Sequence, residues 1–134
     1  MSQENVEIVE AIWAEFVRGR FPEDRFTDDV TWHVADDEPE GGADSGPIRG
    51  PADVRKMLAS FWETVDESWV EADQFVDAGE SVIVRWRGGG IGTASRLAVE
   101  WHETHVYAVT AGRVAEVREY RDFAEALEAA GLSE

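Results

Sequence analysis

Apolar and polar residues alternate through four consecutive segments in the second half of the chain, and short turn sequences separate them. The segments span residues 69–76, 81–87, 97–109 and 113–121, and the turns are residues 77–80, the triple glycine 88–90 and residues 110–112. Such alternation is typical of half-buried strands, and close turns join strands in antiparallel order. The pattern predicts a four-stranded antiparallel meander, and the rest of the chain must pack on it.

The first half of the chain is predicted to be mostly helical. Apolar residues recur at spacings of three and four in residues 2–18, which predicts an amphipathic helix, and a second such helix is expected from Pro51 to about Val65. A helical turn at residues 21–26, a strand at 30–34, a long loop at 36–50 and a last helix at 123–130 complete the prediction. We therefore expect one α+β domain over residues 1–134, a cone-shaped antiparallel sheet with the N-terminal helices on its concave face.

Composition excludes several kinds of site. The chain has no cysteine, so disulfides, thiol nucleophiles and cysteine-ligated metals are excluded. A net charge of −17 repels polyphosphate and anionic lipid, so nucleic acid and membrane are not expected as partners. No stretch is long and apolar enough for a membrane span and no secretory signal is visible, which predicts a cytoplasmic protein.

An ordered set of segments resembles the SnoaL-like polyketide cyclases, which belong to the nuclear transport factor 2-like, or ketosteroid isomerase-like, superfamily. The segments are "VEIVEAIWAEFVRGRF", "DDVTWHV", "GPIRGPADVRKML", "DAGESVIVRWRG" and "HVYAVTAGRVAEVREYRDFAEALEAAGL". The resemblance implies the cone-shaped α+β fold, a pocket between sheet and helices, and a homodimer. It does not imply one reaction, since this superfamily includes isomerases, cyclases, hydrolases and non-catalytic binding proteins.

Two known catalytic arrangements of the superfamily are incomplete in this chain. The positions that correspond to the base and the oxyanion hole of ketosteroid isomerases hold Val34, Ile12 and Thr104, which cannot perform that chemistry. The arginine between two acids of the epoxide hydrolases is matched by Arg85 and Glu119, but Arg87 stands where the second acid is needed. The resemblance leaves Arg85 and Glu119 as a possible buried pair.

The SnoaL-type cyclases use one aspartate after the last strand, and Asp122 stands at that place. A single carboxylate with a pKa raised by apolar walls can transfer a proton in a ring closure. The alternative is that Asp122 caps the last helix, and both roles can coexist.

The histidines are assigned from strand alternation. His102 and His105 are three residues apart on one predicted strand, so they face opposite sides and cannot bind one ion. We expect His102 in the pocket and His105, with Trp101, Glu103 and Tyr107, on a face used for dimerisation. No metal and no cofactor are predicted.

These observations define a candidate pocket for a small hydrophobic molecule, such as a carbonyl, polyketide-like or terpenoid-like compound. Its predicted apolar walls are Trp13, Trp32, Met57, Phe61 and Val117, since flat ligands suit aromatic walls. Its predicted catalytic residues are Glu119, Asp122, Arg85 and His102. The predicted activity is acid/base isomerase, cyclase or hydrolase chemistry, and the alternative is a non-catalytic ligand-binding or dimerisation module.

Overall fold

The computed structural model describes residues 2–35 and 46–132. Within them lie three α-helices, α1 (Ser2–Val17), α2 (Pro51–Trp62) and α3 (Phe123–Ala129), and a 3₁₀ turn at Glu23–Arg25. The strands are β1 (Phe26–His33), β2 (Ile48–Arg49), β3 (Val65–Asp77), β4 (Ser81–Gly92), β5 (Ala98–Thr110) and β6 (Arg113–Tyr120). None of the helices in this part of the chain is long and apolar enough to cross a membrane.

All six strands form one curved sheet in the order β2-β1-β6-β5-β4-β3. The predicted antiparallel meander of β3 to β6 is confirmed by the register, in which Trp86 pairs with Glu103 and His105 pairs with Glu119. Strand β1 joins the free edge of β6 in the parallel direction, with Trp32 beside Val117. The sheet is therefore mixed and not wholly antiparallel, but the predicted α+β architecture is correct.

The helices divide between the two faces of the sheet. α1 packs on the face that we call concave, where Val9, Ile12 and Trp13 join the main core. α3 packs on the opposite, convex face, where Leu127 meets Ile83. Strand β4 is therefore apolar on both sides, which explains its unbroken run Val82-Ile83-Val84, all fully buried.

The triple glycine does not end a strand, contrary to the sequence prediction, because β4 continues through it to Gly92. A β-carbon at Gly88 would lie 2.9 Å from the Trp69 carbonyl oxygen and 3.1 Å from the Trp62 ring. At Gly90, where φ is +153°, a β-carbon would lie 2.4 Å from Val65 Cγ1. The glycines therefore allow β3 and the indole rings to approach β4 closely, which is a known use of glycine within strands.

Other boundaries differ by a few residues. Strand β1 begins at Phe26, four residues before the predicted start, and α2 ends at Trp62 so that Val65 can begin β3. The predicted loop 36–50 contains the short strand Ile48–Arg49 at its end, and its residues 36–45 lie outside the described residues.

Candidate functional site

A cavity of about 760 Å³ lies between α1, α2 and the concave face of the sheet. All six tryptophans of the chain line it, together with three phenylalanines, Met57, Leu58 and two acidic residues. The tryptophans are Trp13, Trp32, Trp62, Trp69, Trp86 and Trp101. The volume and the aromatic walls are those of a site for a small organic molecule.

One group of indole rings surrounds a buried histidine. The imidazole of His105 lies with its ring centre 5.3 Å from Trp86, 5.4 Å from Trp32 and 6.1 Å from Trp13. These rings come from three different elements, β4, β1 and α1, so the tertiary fold alone brings them together. A second group, Phe61, Trp62 and Trp101, forms another part of the wall with centres 5.0 to 6.0 Å apart.

Glu119 is a buried acid of the cavity wall, with 11% of its side chain exposed. Its Oε2 accepts a hydrogen bond of 2.6 Å from the indole N–H of Trp32, and Oε1 accepts one of 3.4 Å from the backbone N–H of Ala35. Burial is the largest influence and raises the pKa of Glu119; His105 lowers it, the nearby Glu103 raises it, and the two hydrogen bonds lower it, so that the net shift is upward. A raised pKa makes a carboxyl a better proton acceptor when it is ionised, and leaves more of it in the acid form that can donate a proton.

His105 lies between two carboxylates. Its Nε2 is 3.7 Å from Glu103 Oε1 and 3.9 Å from Glu119 Oε2, while its Nδ1 lies 3.2 Å from the hydroxyl of Tyr107. Nε2 is buried and has no hydrogen-bond partner among the described residues. Burial also raises the pKa of Tyr107 well above its ordinary value, so the neutral hydroxyl orients the imidazole.

We call Glu103, His105 and Glu119 the acidic cluster. One ligand atom from each residue lies within 4.8 Å of the other two, so a single cation could contact all three. The arrangement can therefore hold a shared proton, a metal ion or a positively charged group of a ligand.

The structure brings together five of the residues predicted to form the pocket. Trp13, Trp32, Met57, Phe61 and Glu119 all line the cavity. Their roles in binding and catalysis remain predictions.

Three other predicted residues lie away from the cavity. Val117 is on the concave side, but it is fully buried in the core and does not line the cavity. Arg85 points to the convex face, where its guanidinium lies 4.9 Å from the ring centre of Phe123, so the predicted pair with Glu119 is wrong. Asp122 accepts a hydrogen bond of 2.9 Å from the backbone N–H of Ala124, which is the helix-cap alternative.

The expected assignment of the two histidines is wrong. His102 has an exposed side chain and contacts Glu100 at 2.8 Å on the convex face, whereas His105 lines the cavity. Alternation correctly placed the two on opposite faces, but it does not say which face is concave. The register carries the missing information, because β5 places His105 beside Val84 of β4 and Glu119 of β6.

Sequence reasoning therefore missed Glu103 and His105 as residues of the site. A signal was present, since His105 shares strand parity with Trp101, Glu103 and Tyr107, a polar-aromatic set on one face. The sequence interpretation gave this face to a dimer interface, but in the structure it forms the cavity wall and the core.

Comparison with known proteins agrees with this architecture. The SnoaL-like domain matches residues 9–117, which is most of the chain. The chain belongs to the SnoaL-like family. No curated protein sequence matches it.

Solved structures similar to this SnoaL-like protein share its fold at low identity. A nuclear transport factor 2-like protein of unknown function from Burkholderia pseudomallei is 20% identical, with a TM-score of 0.73 over 93% of this chain and 95% of that one. TerC, co-crystallised with polyporic acid, is 17% identical, with a TM-score of 0.73 over 96% and 98%. A protein from Catenulispora acidiphila with a ketosteroid isomerase-like fold, in complex with trimethylamine, is 16% identical, with a TM-score of 0.67 over 94% and 93%.

Proposed function

We propose that this SnoaL-like protein binds a small, largely apolar organic molecule in the aromatic cavity and that Glu119 exchanges a proton with it. The observation that carries the proposal is a buried acid–imidazole pair, Glu119 and His105, in the wall of a cavity otherwise lined mainly by aromatic rings. Apolar walls supply binding energy, and the few polar groups orient the ligand.

Binding is supported by the size and the lining of the cavity. A volume of about 760 Å³ accommodates a molecule of two or three fused rings, and the indole faces stack well on flat groups. Two similar structures hold small molecules, since TerC was crystallised with polyporic acid and the Catenulispora protein with trimethylamine.

Proton transfer is supported by the environment of Glu119. Ionised Glu119 removes a proton from carbon next to a carbonyl group and returns it to another position, as isomerisation or ring closure requires. The Trp32 indole N–H stabilises the carboxylate form, while burial stabilises the acid form. These opposing effects bring the free energies of the carboxylate and acid forms of Glu119 closer together. Such a balance suits a group that must both take and give a proton.

The second candidate function is binding without catalysis. Both oxygens of Glu119 already accept hydrogen bonds, from Trp32 and from the backbone of Ala35. In this function the carboxylate holds β1 against β6, and the cavity stores or carries its ligand unchanged.

One pair of measurements separates the two functions. Tryptophan fluorescence is titrated with 2-tetralone, 9-fluorenone and 1,4-naphthoquinone, and deuterium uptake from D₂O at the acidic carbon of 2-tetralone is followed by NMR. We expect quenching by at least one compound and uptake faster than in buffer. Glu119→Gln should slow the enzymatic uptake about 100-fold or more while quenching persists.

The matched control is Glu100→Gln, which removes the same charge from an exposed side chain on the convex face. It should leave both readouts unchanged. Quenching without enzymatic uptake would favour the non-catalytic function, and no quenching by any of the compounds would refute ligand binding.

A further inference from the structure

The two carboxylates of the acidic cluster differ in how they are satisfied. Glu119 accepts hydrogen bonds from Trp32 and Ala35. Glu103 has 12% of its side chain exposed, and its ionic neighbour within residues 2–35 and 46–132 is His105, at 3.7 Å. That separation is longer than a hydrogen bond. Glu103 therefore has acceptor capacity that no described side chain uses.

The acidic cluster contains more acidic groups than basic ones. The acidic cluster contains two carboxyl groups and one imidazole, so even a protonated His105 would leave one negative charge when both acids are ionised. The arginines that line the cavity are Arg18, Arg20 and Arg55, all exposed, and the last two form ion pairs with Glu15 and Glu23. A buried negative charge without a partner is costly, and a bound cation removes that cost.

A second, independent observation points to a ligand at the same place. His105 Nε2 is buried without a hydrogen-bond partner, in a side chain only 6% exposed, and it faces the two carboxylate oxygens. A buried polar atom of this kind usually has a partner, and a ligand with an ammonium N–H can donate a hydrogen bond to an imidazole nitrogen.

The surroundings favour an organic cation over a metal ion. Indole faces attract cationic nitrogen, and a carboxylate enclosed by aromatic rings is the arrangement that recognises alkylated ammonium groups. A metal ion needs four to six ligand atoms, whereas the walls beyond the acidic cluster are mainly aromatic carbon. The cavity, of about 760 Å³, also holds the organic body that an ammonium group would carry.

We propose that the ligand of this cavity is an organic cation, an alkylated or aryl-substituted ammonium compound, and that Glu103 is its anionic partner. The inference rests on the proposed function, since it concerns the molecule that the cavity binds. Glu103 binds the charged nitrogen, the indoles surround its alkyl groups, and Glu119 stays available for proton transfer.

The test compares two probes of the same shape, phenyltrimethylammonium and tert-butylbenzene, which differ in charge. Each is titrated against the full chain by tryptophan fluorescence at about 0.15 M salt, where surface charges are screened. We expect the cation to bind at least tenfold more tightly than the neutral probe. In Glu103→Gln the ratio should fall toward one, while the affinity for tert-butylbenzene, which also reports that the variant is folded, stays the same.

Glu100→Gln is again the matched control, because it removes one carboxylate from β5 on the opposite face, and it should keep the full ratio. Equal affinities for both probes in the wild-type protein would overturn the inference while leaving the proposed function intact. A ratio that survives Glu103→Gln would overturn the role of Glu103. Binding of neither probe would count against the proposed function itself, and the inference would fall with it.

Discussion

At the scale of single residues, Glu119 links the stability of the protein to pH. Its pKa in the folded protein is raised above the ordinary value of 4.5, mainly by burial. The folded state therefore binds more protons than the unfolded state at pH values between 4.5 and the raised pKa. Because stability falls with rising pH wherever the folded state holds more protons, the stabilising effect of the protonated acid is lost across this window.

The variant Glu119→Gln cannot titrate and should be free of this pH dependence. Its stability relative to that of the wild-type protein should rise as the pH increases above 4.5, because only the wild-type protein loses the protonated acid. Thermal unfolding of both proteins over this range measures the difference. Glu100→Gln, which changes an exposed acid, should follow the wild-type curve. Parallel curves for Glu119→Gln and the wild type would show that the buried carboxyl has an ordinary pKa.

At the scale of secondary-structure elements, alternation predicted the strands better than it predicted the site. It located β3 to β6 and two of the three turns between them, because period-two patterning and turn residues are local properties of the sequence. It could not assign His102 and His105 to a face, because α3 covers the convex side and makes both sides of β4 apolar. Which side is concave depends on long-range packing of α1, and that information is absent from any single strand.

The same limit explains the other misplaced residues. Arg85 was matched to a catalytic arginine on the basis of a short stretch of sequence. In the structure it pairs with Thr104 of β5, and its guanidinium lies against Phe123 of α3. The parallel pairing of β1 with β6, which brings Trp32 to Glu119, joins segments 87 residues apart and has no local signal. By contrast, Trp13, Trp32, Met57 and Phe61 line the cavity, as the apolar faces of the helices, the preference of flat ligands for aromatic walls and the family resemblance together predicted.

The start of α3 gives a prediction that separates the two roles considered for Asp122. Its side chain caps the helix by accepting from the Ala124 backbone N–H, so Asp122→Ala should cost about 1 kcal/mol of stability. Asp122→Asn keeps a good cap and should cost much less. Urea unfolding of both variants measures this. If Asp122→Asn kept its stability but abolished deuterium uptake, the result would show that Asp122 acts as an acid/base in addition to capping α3.

At the scale of the whole molecule, the sheet separates two kinds of surface. The concave face, with α1 and α2, collects all six tryptophans and the acidic cluster. The convex face carries ion pairs such as Arg87 with Glu71 and Asp73, and α3 covers part of it. Most of the aromatic surface that could otherwise serve self-association therefore lies inside the cavity.

The predicted homodimer therefore needs a different physical basis from the one that the sequence indicated. The polar-aromatic set on β5 that was expected to form the interface lies in the cavity wall and the core, and the exposed apolar side chains include Trp69 and Leu97. Family resemblance still predicts a dimer. Each chain carries a net charge of −17, so two chains repel each other and association should strengthen as salt screens that repulsion.

Sedimentation equilibrium at micromolar concentration tests this expectation. We expect about twice the chain mass of 14.9 kDa at about 0.15 M salt, and a shift toward the single-chain mass at about 0.01 M. Trp69→Gln should weaken the dimer if this exposed indole lies in the interface, whereas Glu100→Gln, by lowering the net charge, should strengthen it slightly. A single-chain mass at both salt concentrations would mean that this member of the SnoaL-like family is a monomer.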